Sequence, residues 1–232
     1  MGRRALRKLD PSIDLSQHLR ELTALLPEDA EPLKPVERLD PQSFFAKQQP
    51  LEIEMGSGKG LFLLNAALAH PERNYLGVEL ARNYAAYCAA RLKRHELTNG
   101  FMISGDGLRF FRELLPDACA AAVHVYFPDP WWKKRHAKRR VMNEYFVRDI
   151  ERVLRPGGSL HFWTDVQDYY EMALPVLAEH TSLKGPLAVA EQTPAHDMDY
   201  RTNFERRKRQ DGLPIYRSEF RKAGVDPSGA TS

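Results

Sequence analysis

Long apolar runs are absent from this 232-residue sequence. No stretch approaches the roughly 20 consecutive apolar residues that a membrane span requires. The basic N-terminus, MGRRALRKLDPSIDLSQ, lacks the apolar central region of a secretory signal. Cysteine is scarce: Cys88 and Cys119 are the only two, they sit among apolar residues, and their spacing matches no metal site. Both are expected to be buried free thiols. Internal repeats and low-complexity tracts are missing as well, which excludes a repeat array. What is left is a globular chain expected in the cytoplasm, with no membrane association. Its length suits one α/β domain with some additional structure, and 43% hydrophobic residues suffice for a substantial core.

A strong excess of either charge is also lacking, since 34 Lys and Arg face 31 Asp and Glu for a net charge of +3. The distribution says more. Basic residues concentrate at 133–140 (KKRHAKRR), at 206–209 (RRKR) and in the first eight positions. Clusters on a nearly balanced chain point to a defined phosphate-contacting face, although each cluster by itself is equally a solvated surface.

Six prolines fall from Pro11 to Pro50, and the expectation for residues 1–49 is a variable extension with at most short helices. From Pro50 the pattern changes. Leu51–Met55 reads as a strand, followed by Gly56-Ser57-Gly58-Lys59-Gly60 and an apolar helical run. Glycines at alternate positions permit a tight turn over which a ligand can approach the main chain. The spacing fits neither the phosphate loop, since Lys59 is followed by Gly60, nor the dinucleotide fingerprint G-x-G-x-x-G. Tyr75–Leu80 reads as a second strand carrying Glu79, an acid placed to accept ribose hydroxyls. An amphipathic helix over 81–95 turns Tyr84, Tyr87, Cys88 and Leu92 inward. Phe101–Ile103 is a third strand leading to Asp106, which can bond an adenine amino group, cap the next helix, or both.

The most informative stretch is VHVYFPDPWWKKRHAKRR, from Val123 to Arg140. A strand stops at Pro128-Asp129-Pro130 and opens into two tryptophans and a basic run, which reads as an active-site edge facing a polyanion. A helix over Val141–Leu154 should stop at Arg155-Pro156-Gly157-Gly158. Ser159–Thr164 is a fifth strand, ending at Asp165. A helix over Gln167–Glu179 should be kinked or split by Pro175. A strand is possible at Leu187–Ala190, and Leu213–Phe220 reads as the last. Thr202-Asn203-Phe204-Glu205 either caps a helix or presents a hydroxyl and a carboxylate to a base. Repeated strand–turn–helix units imply a doubly wound, mostly parallel sheet with helices on both faces, its strand-end acids sharing one rim.

Together these residues closely resemble the bacterial tRNA (guanine-N7)-methyltransferase family, over about Leu51 to Arg217. The resemblance rests on EMGSGKG, YLGVEL, Gly105-Asp106, YFPDPWWKKRHAKRR, FWTD and TNFE in that order. It implies the class I S-adenosylmethionine-dependent methyltransferase fold, with seven strands and the last antiparallel. It implies tRNA as the partner, S-adenosylmethionine as the cofactor, no metal and no obligatory protein partner. A methyltransferase domain would cover 50–222, followed by a flexible tail at 223–232. Cofactor contacts fall by resemblance on Glu54, Glu79, Asp106 and Asp129, beside Gly56 and Gly58 of the turn. Asp129 is also the implied catalytic residue. Substrate contacts fall on Lys133, Asp165, Thr202, Asn203, Phe204 and Glu205, and the RNA-contacting segment on Arg135, His136, Ala137, Lys138, Arg139 and Arg140. Two positions depart from the family: Trp132, where members often carry Pro, and Lys208, where many carry Gly. Trp131 or Trp132 is available to stack on a splayed base or to pack in the core.

A methyltransferase for small molecules or proteins, a non-catalytic RNA binder and a nicotinamide-dependent oxidoreductase are the competing readings. The first ignores the basic loop. The second conflicts with intact acids at every strand end, and the third with the G-x-G-x-G spacing.

Overall fold

A computed structural model describes residues 6, 9–10, 12–26, 37–131, 140–190 and 202–224. Within them one sheet runs through the molecule in the order β1-β4-β3-β2-β5-β6-β8-β7. Its strands are β1 (Leu19–Glu21), β2 (Leu51–Met55), β3 (Asn74–Glu79), β4 (Gly100–Ser104), β5 (Ala120–Tyr126), β6 (Leu154–Thr164), β7 (Lys184–Leu187) and β8 (Tyr216–Arg221). Pairings from β1 through β6 are parallel. β8 runs antiparallel to both β6 and β7. The doubly wound architecture is the expected one, enlarged by an eighth strand.

That strand, β1, comes from the segment expected to supply short helices only. It aligns Leu19 with Met102 and Glu21 with Ser104. A single helical turn, α1 (Leu22–Leu25), and a 3-10 turn at Pro41–Phe44 follow it. Three residues are too few to show alternation, so the strand carried no readable period.

Two apolar layers sandwich the sheet. On one face Ile53, Val78, Ile103, Val125 and Phe162 pack with α5 (Glu144–Val153) and α6 (Gln167–His180). The same layer receives Phe110 and Phe111 from a π turn that continues α4 (Gly107–Arg109). On the other face Tyr75, Met102, Tyr126 and Trp163 meet α2 (Leu61–Ala69) and α3 (Arg82–Arg94). Cys88 and Leu92 of α3 are buried as the periodicity required, while Tyr84 and Tyr87 are half-buried. Both cysteines are free, Cys88 fully buried and Cys119 partly so.

Two local expectations need correction. Pro175 does not split α6, which spans Gln167–His180 as one helix. Pro175 lies on the exposed side, where water can take the carbonyl its ring leaves without a donor, while Tyr169, Ala173 and Leu177 stay packed. The edge strand β7 lies at Lys184–Leu187, so it shares only Leu187 with the segment expected.

The direction of winding reverses between β2 and β5, where Met55 aligns with Val125. In open α/β sheets this reversal leaves a crevice at the carboxyl ends of the strands. The Gly-rich turn after β2 and the Pro-Asp-Pro loop after β5 therefore face one another. Gly60 starts α2 in a left-handed conformation, φ +66°, and a Cβ there would overlap the Cys88 sulfur. Gly60→Ala should destabilise the fold by about 3 kcal/mol, from overpacking plus positive-φ strain. Denaturant unfolding measures this, and a loss below about 1 kcal/mol would mean that α2 and α3 are not held this closely.

Candidate active site

Gly56, Gly58 and Gly60 all have positive φ, and their turn is wired to β3. Gly56 and Ser57 donate their amides to the Val78 carbonyl at 2.8 and 3.1 Å. Gly58 donates to Glu79 Oε2 at 2.8 Å, and Ala81 donates to Glu79 Oε1 at 2.8 Å. The strand-end acid is thus clamped by main chain on both oxygens, each of which keeps a second lone pair for a ligand hydroxyl. Nothing lies within 4 Å of a Cβ built on Gly56 or Gly58. Two of the three glycines open onto the crevice, and the third serves packing.

Glu54 ends the same face of β2. It is only 3% exposed, and its Oε2 has no hydrogen-bond partner. Burial pushes its carboxyl up to about 8, outweighing a hydrogen bond from Ser57 that lowers it, and the nearby Glu79 charge adds a lesser upward push. A buried carboxyl with an unused oxygen, next to an open Gly turn, calls for a proton or a cationic ligand. These residues fit a cofactor that carries an ammonium and a sulfonium.

Asp106, after β4, accepts the Leu108 amide on Oδ1 at 2.9 Å and so caps α4. It remains exposed at the rim.

The Pro-Asp-Pro loop is rigid for identifiable reasons. Phe127 and Trp131, at its two ends, hold φ of +50° and +45°. Such strain in bulky residues persists only where surroundings enforce it. The Phe127 amide donates to the Trp163 carbonyl at 2.8 Å. Both prolines fix their own φ. Arg140 Nε donates to the Pro130 carbonyl at 2.8 Å, and its guanidinium lies 5.6 Å from the centre of the Tyr169 ring. Tyr169 in turn accepts the Met142 amide at 3.1 Å. Asp129 is exposed at the apex between these restraints. Arg140, grouped in the sequence with the RNA-contacting run, is engaged with the loop itself. Lys133, Arg135, His136, Ala137, Lys138 and Arg139 fall outside the described residues, as does Trp132. Trp131 is half-buried.

Asp165, at the end of β6, is ion-paired with Lys208 at 2.7 Å. Lys208 belongs to α7 (Asn203–Gln210), the helix that TNFE opens. Thr202 Oγ1 accepts the Glu205 amide at 3.0 Å, so the capping alternative is realised. Glu205 is buried beside Arg209 and Arg217, at 3.5 and 3.8 Å. The Arg217 guanidinium lies 5.1 Å from the centre of the Trp163 ring. The backbones of Asn203 and Phe204 form the first turn of α7. Lys208 and Arg217 were not among the sequence candidates. Lys208 was visible only as a family departure inside a charge run, and Arg217 had no sequence signal.

Known proteins align with this arrangement. A family model described as "Putative methyltransferase" matches residues 48–218. A tRNA (guanine-N(7)-)-methyltransferase of Rhodopirellula baltica is 45% identical over 228 residues, covering 96% of this chain and 80% of that protein. One from Thiobacillus denitrificans is 36% identical over 207 residues, covering 89% of this chain and 90% of its own. Among solved structures, a 16S rRNA (adenine(1408)-N(1))-methyltransferase from Catenulisporales acidiphilia with its cosubstrate superposes with a TM-score of 0.53. At 18% identity, over 80% of this chain and 90% of that one, it bears on the fold alone.

Glu54 and Glu52 should leave opposite marks on stability against pH. Glu54 has a raised folded-state value, so its contribution is fully favourable below about 4.5 and is lost as pH rises toward 8. Glu52 is the reverse. Burial alone would raise it, but bonds from His124 and Arg73 outweigh that and hold it at about 2. Its contribution is present above about 4.5 and lost as pH falls through 2. Glu54→Gln should therefore be more stable than the parent at pH 8 and lose that advantage by pH 4.5. Urea unfolding at the two pH values reads this, and an unchanged difference between them would mean that Glu54 is not the buried acid described.

Proposed function

The chain belongs to the tRNA (guanine-N(7)-)-methyltransferase family, and from that membership we propose that it methylates N7 of a guanine in tRNA. S-adenosylmethionine supplies the electrophilic methyl group on a sulfonium. One observation carries the assignment of the site: buried Glu54, its Oε2 without a hydrogen-bond partner, lies beside the open Gly turn and faces the strained Asp129 loop across the β2–β5 reversal.

Guanine N7 presents an in-plane lone pair, so this chain needs no general base to create the nucleophile. Its task is to align reactants and to compensate moving charge. Glu54 supports the cationic end of the cofactor, Glu79 the ribose and Asp106 the adenine. Asp129, held by two prolines and by Arg140, positions the guanine and stabilises the positive charge that the purine gains. Arg140 acts on the reaction through the loop. The basic run from Lys133 to Arg139 supplies phosphate contacts, and α7, which Thr202 caps, stands beside Asp165 on the substrate side of the rim. A tRNA substrate supports a cytoplasmic location, and the proposed reaction calls for no obligatory protein partner. No helix among the described residues is long and apolar enough to cross a membrane.

Purified protein, labelled S-adenosylmethionine and an unmodified tRNA transcript should give label recovered as 7-methylguanosine. Label in another nucleoside, or none, would overturn the substrate assignment. Asp129→Ala should lower turnover by at least about 100-fold, the scale of losing one transition-state electrostatic contact. S-adenosylhomocysteine should still bind that variant, and near-parental turnover would remove Asp129 from the chemistry.

A further inference from the structure

At the rim beside Asp106 lies a cavity of about 300 Å³, and one side of it is built by the segment that runs from β1 into α1. Leu22, Thr23 and Leu26 line it from that side, Leu80 and Asp106 from the sheet. We propose that residues 21–26 form a wall of the pocket that holds the adenine of the cofactor. The proposal rests on the methyltransferase assignment and extends the site to a segment outside the matched family region, 48–218.

Three observations place that wall. First, β1 is in register with β4, and the Met102 amide donates to the His18 carbonyl at 2.9 Å. Glu21 stands opposite Ser104, so Leu22 follows where the chain turns toward Asp106. Second, Gly105 has φ +154°, and a Cβ on it would overlap the Leu22 side chain. The missing side chain lets Leu22 seat directly against the turn that presents Asp106. Third, Glu21 Oε1 accepts Arg82 Nε at 2.8 Å, which ties the segment to the first turn of α3 on the far side of Leu80.

The lining has the chemistry of a purine site. Leu22, Leu26 and Leu80 offer apolar surface for a flat ring, and Asp106 offers an acceptor at its edge. Glu21, Arg82 and Arg109 complete the lining, so apolar surface and polar groups converge in a pocket of a size usual for small-molecule recognition. Leu80 is 75% exposed at the end of a central strand. A bound ring would cover it. Thr23 lines the cavity yet is exposed, so it can be enlarged without disturbing the core.

Thr23→Trp should fill the cavity and weaken S-adenosylhomocysteine binding at least about tenfold by calorimetry. Adenosine should compete correspondingly less well, and tRNA affinity should hold. Thr98→Trp, lining a separate cavity with Asn74 and Leu97, should bind S-adenosylhomocysteine as the parent does. A second measurement needs no variant: saturating the parent with S-adenosylhomocysteine should slow amide exchange across residues 19–26. Parental affinity in a folded Thr23→Trp, or exchange at 19–26 unchanged by the ligand, would overturn the wall while leaving the methyltransferase assignment intact. Failure of the parent to bind S-adenosylhomocysteine at all would remove both.

Discussion

Glu52 on β2 and His124 on β5 meet beneath α2, with Oε2 and Nε2 2.8 Å apart, and both side chains are buried. They are diagonal neighbours on one face, since Glu52 aligns with Ala122 and Glu54 with His124. A neutral imidazole with its proton on Nε2 satisfies this bond and accepts the Tyr126 hydroxyl on Nδ1 at 2.8 Å. Arg73 supplies the second partner of Glu52, and the His161 and Phe62 rings lie on either neighbouring element at 4.9 and 4.5 Å. A slip of one residue would send one member of the pair to the opposite face and strand a buried charge, at a cost of about 3–5 kcal/mol. The register so fixed also decides where β2 and β5 end. Because both loops of the site emerge from those ends, the polar pair deep in the sheet sets how far the Gly turn stands from Asp129.

Much of this was legible in the residues. The central strands are short apolar runs bounded by Gly and Pro, and the acids fall at their ends, so the residues alone outline the rim. What escaped has physical reasons. β1 is three residues long and held by pairing with β4, a long-range effect that leaves no local trace. The continuity of α6 through Pro175 depends on which side of the helix faces water, and proline identity alone does not state that. Lys208 read as part of a solvated run because its partner, Asp165, is distant in sequence. Arg140 read as one more member of a basic run, yet its position at the foot of α5 brings it back to the Pro130 carbonyl.

The acids on the rim are alike in sequence and unlike in circumstance. Glu79 is satisfied by two amides, Asp106 caps a helix, Asp165 is neutralised by Lys208, and Glu54 alone is buried with an unused oxygen. Environment therefore divides the labour among four carboxyl groups that the strand pattern presents as equivalent. Of the four, only Glu54 keeps a buried acceptor oxygen without a partner.

The pairing of β1 with β4 has a consequence for the order of events during synthesis. β1 leaves the ribosome before the other strands described, but the edge it needs exists only after β4 has emerged and joined β3. Until then Leu22 and Leu26 have no apolar surface to cover. The nascent chain must carry them exposed while the central strands assemble. Closure of this edge of the sheet then belongs to a late docking step that brings residues 19–26 back to the assembled strands.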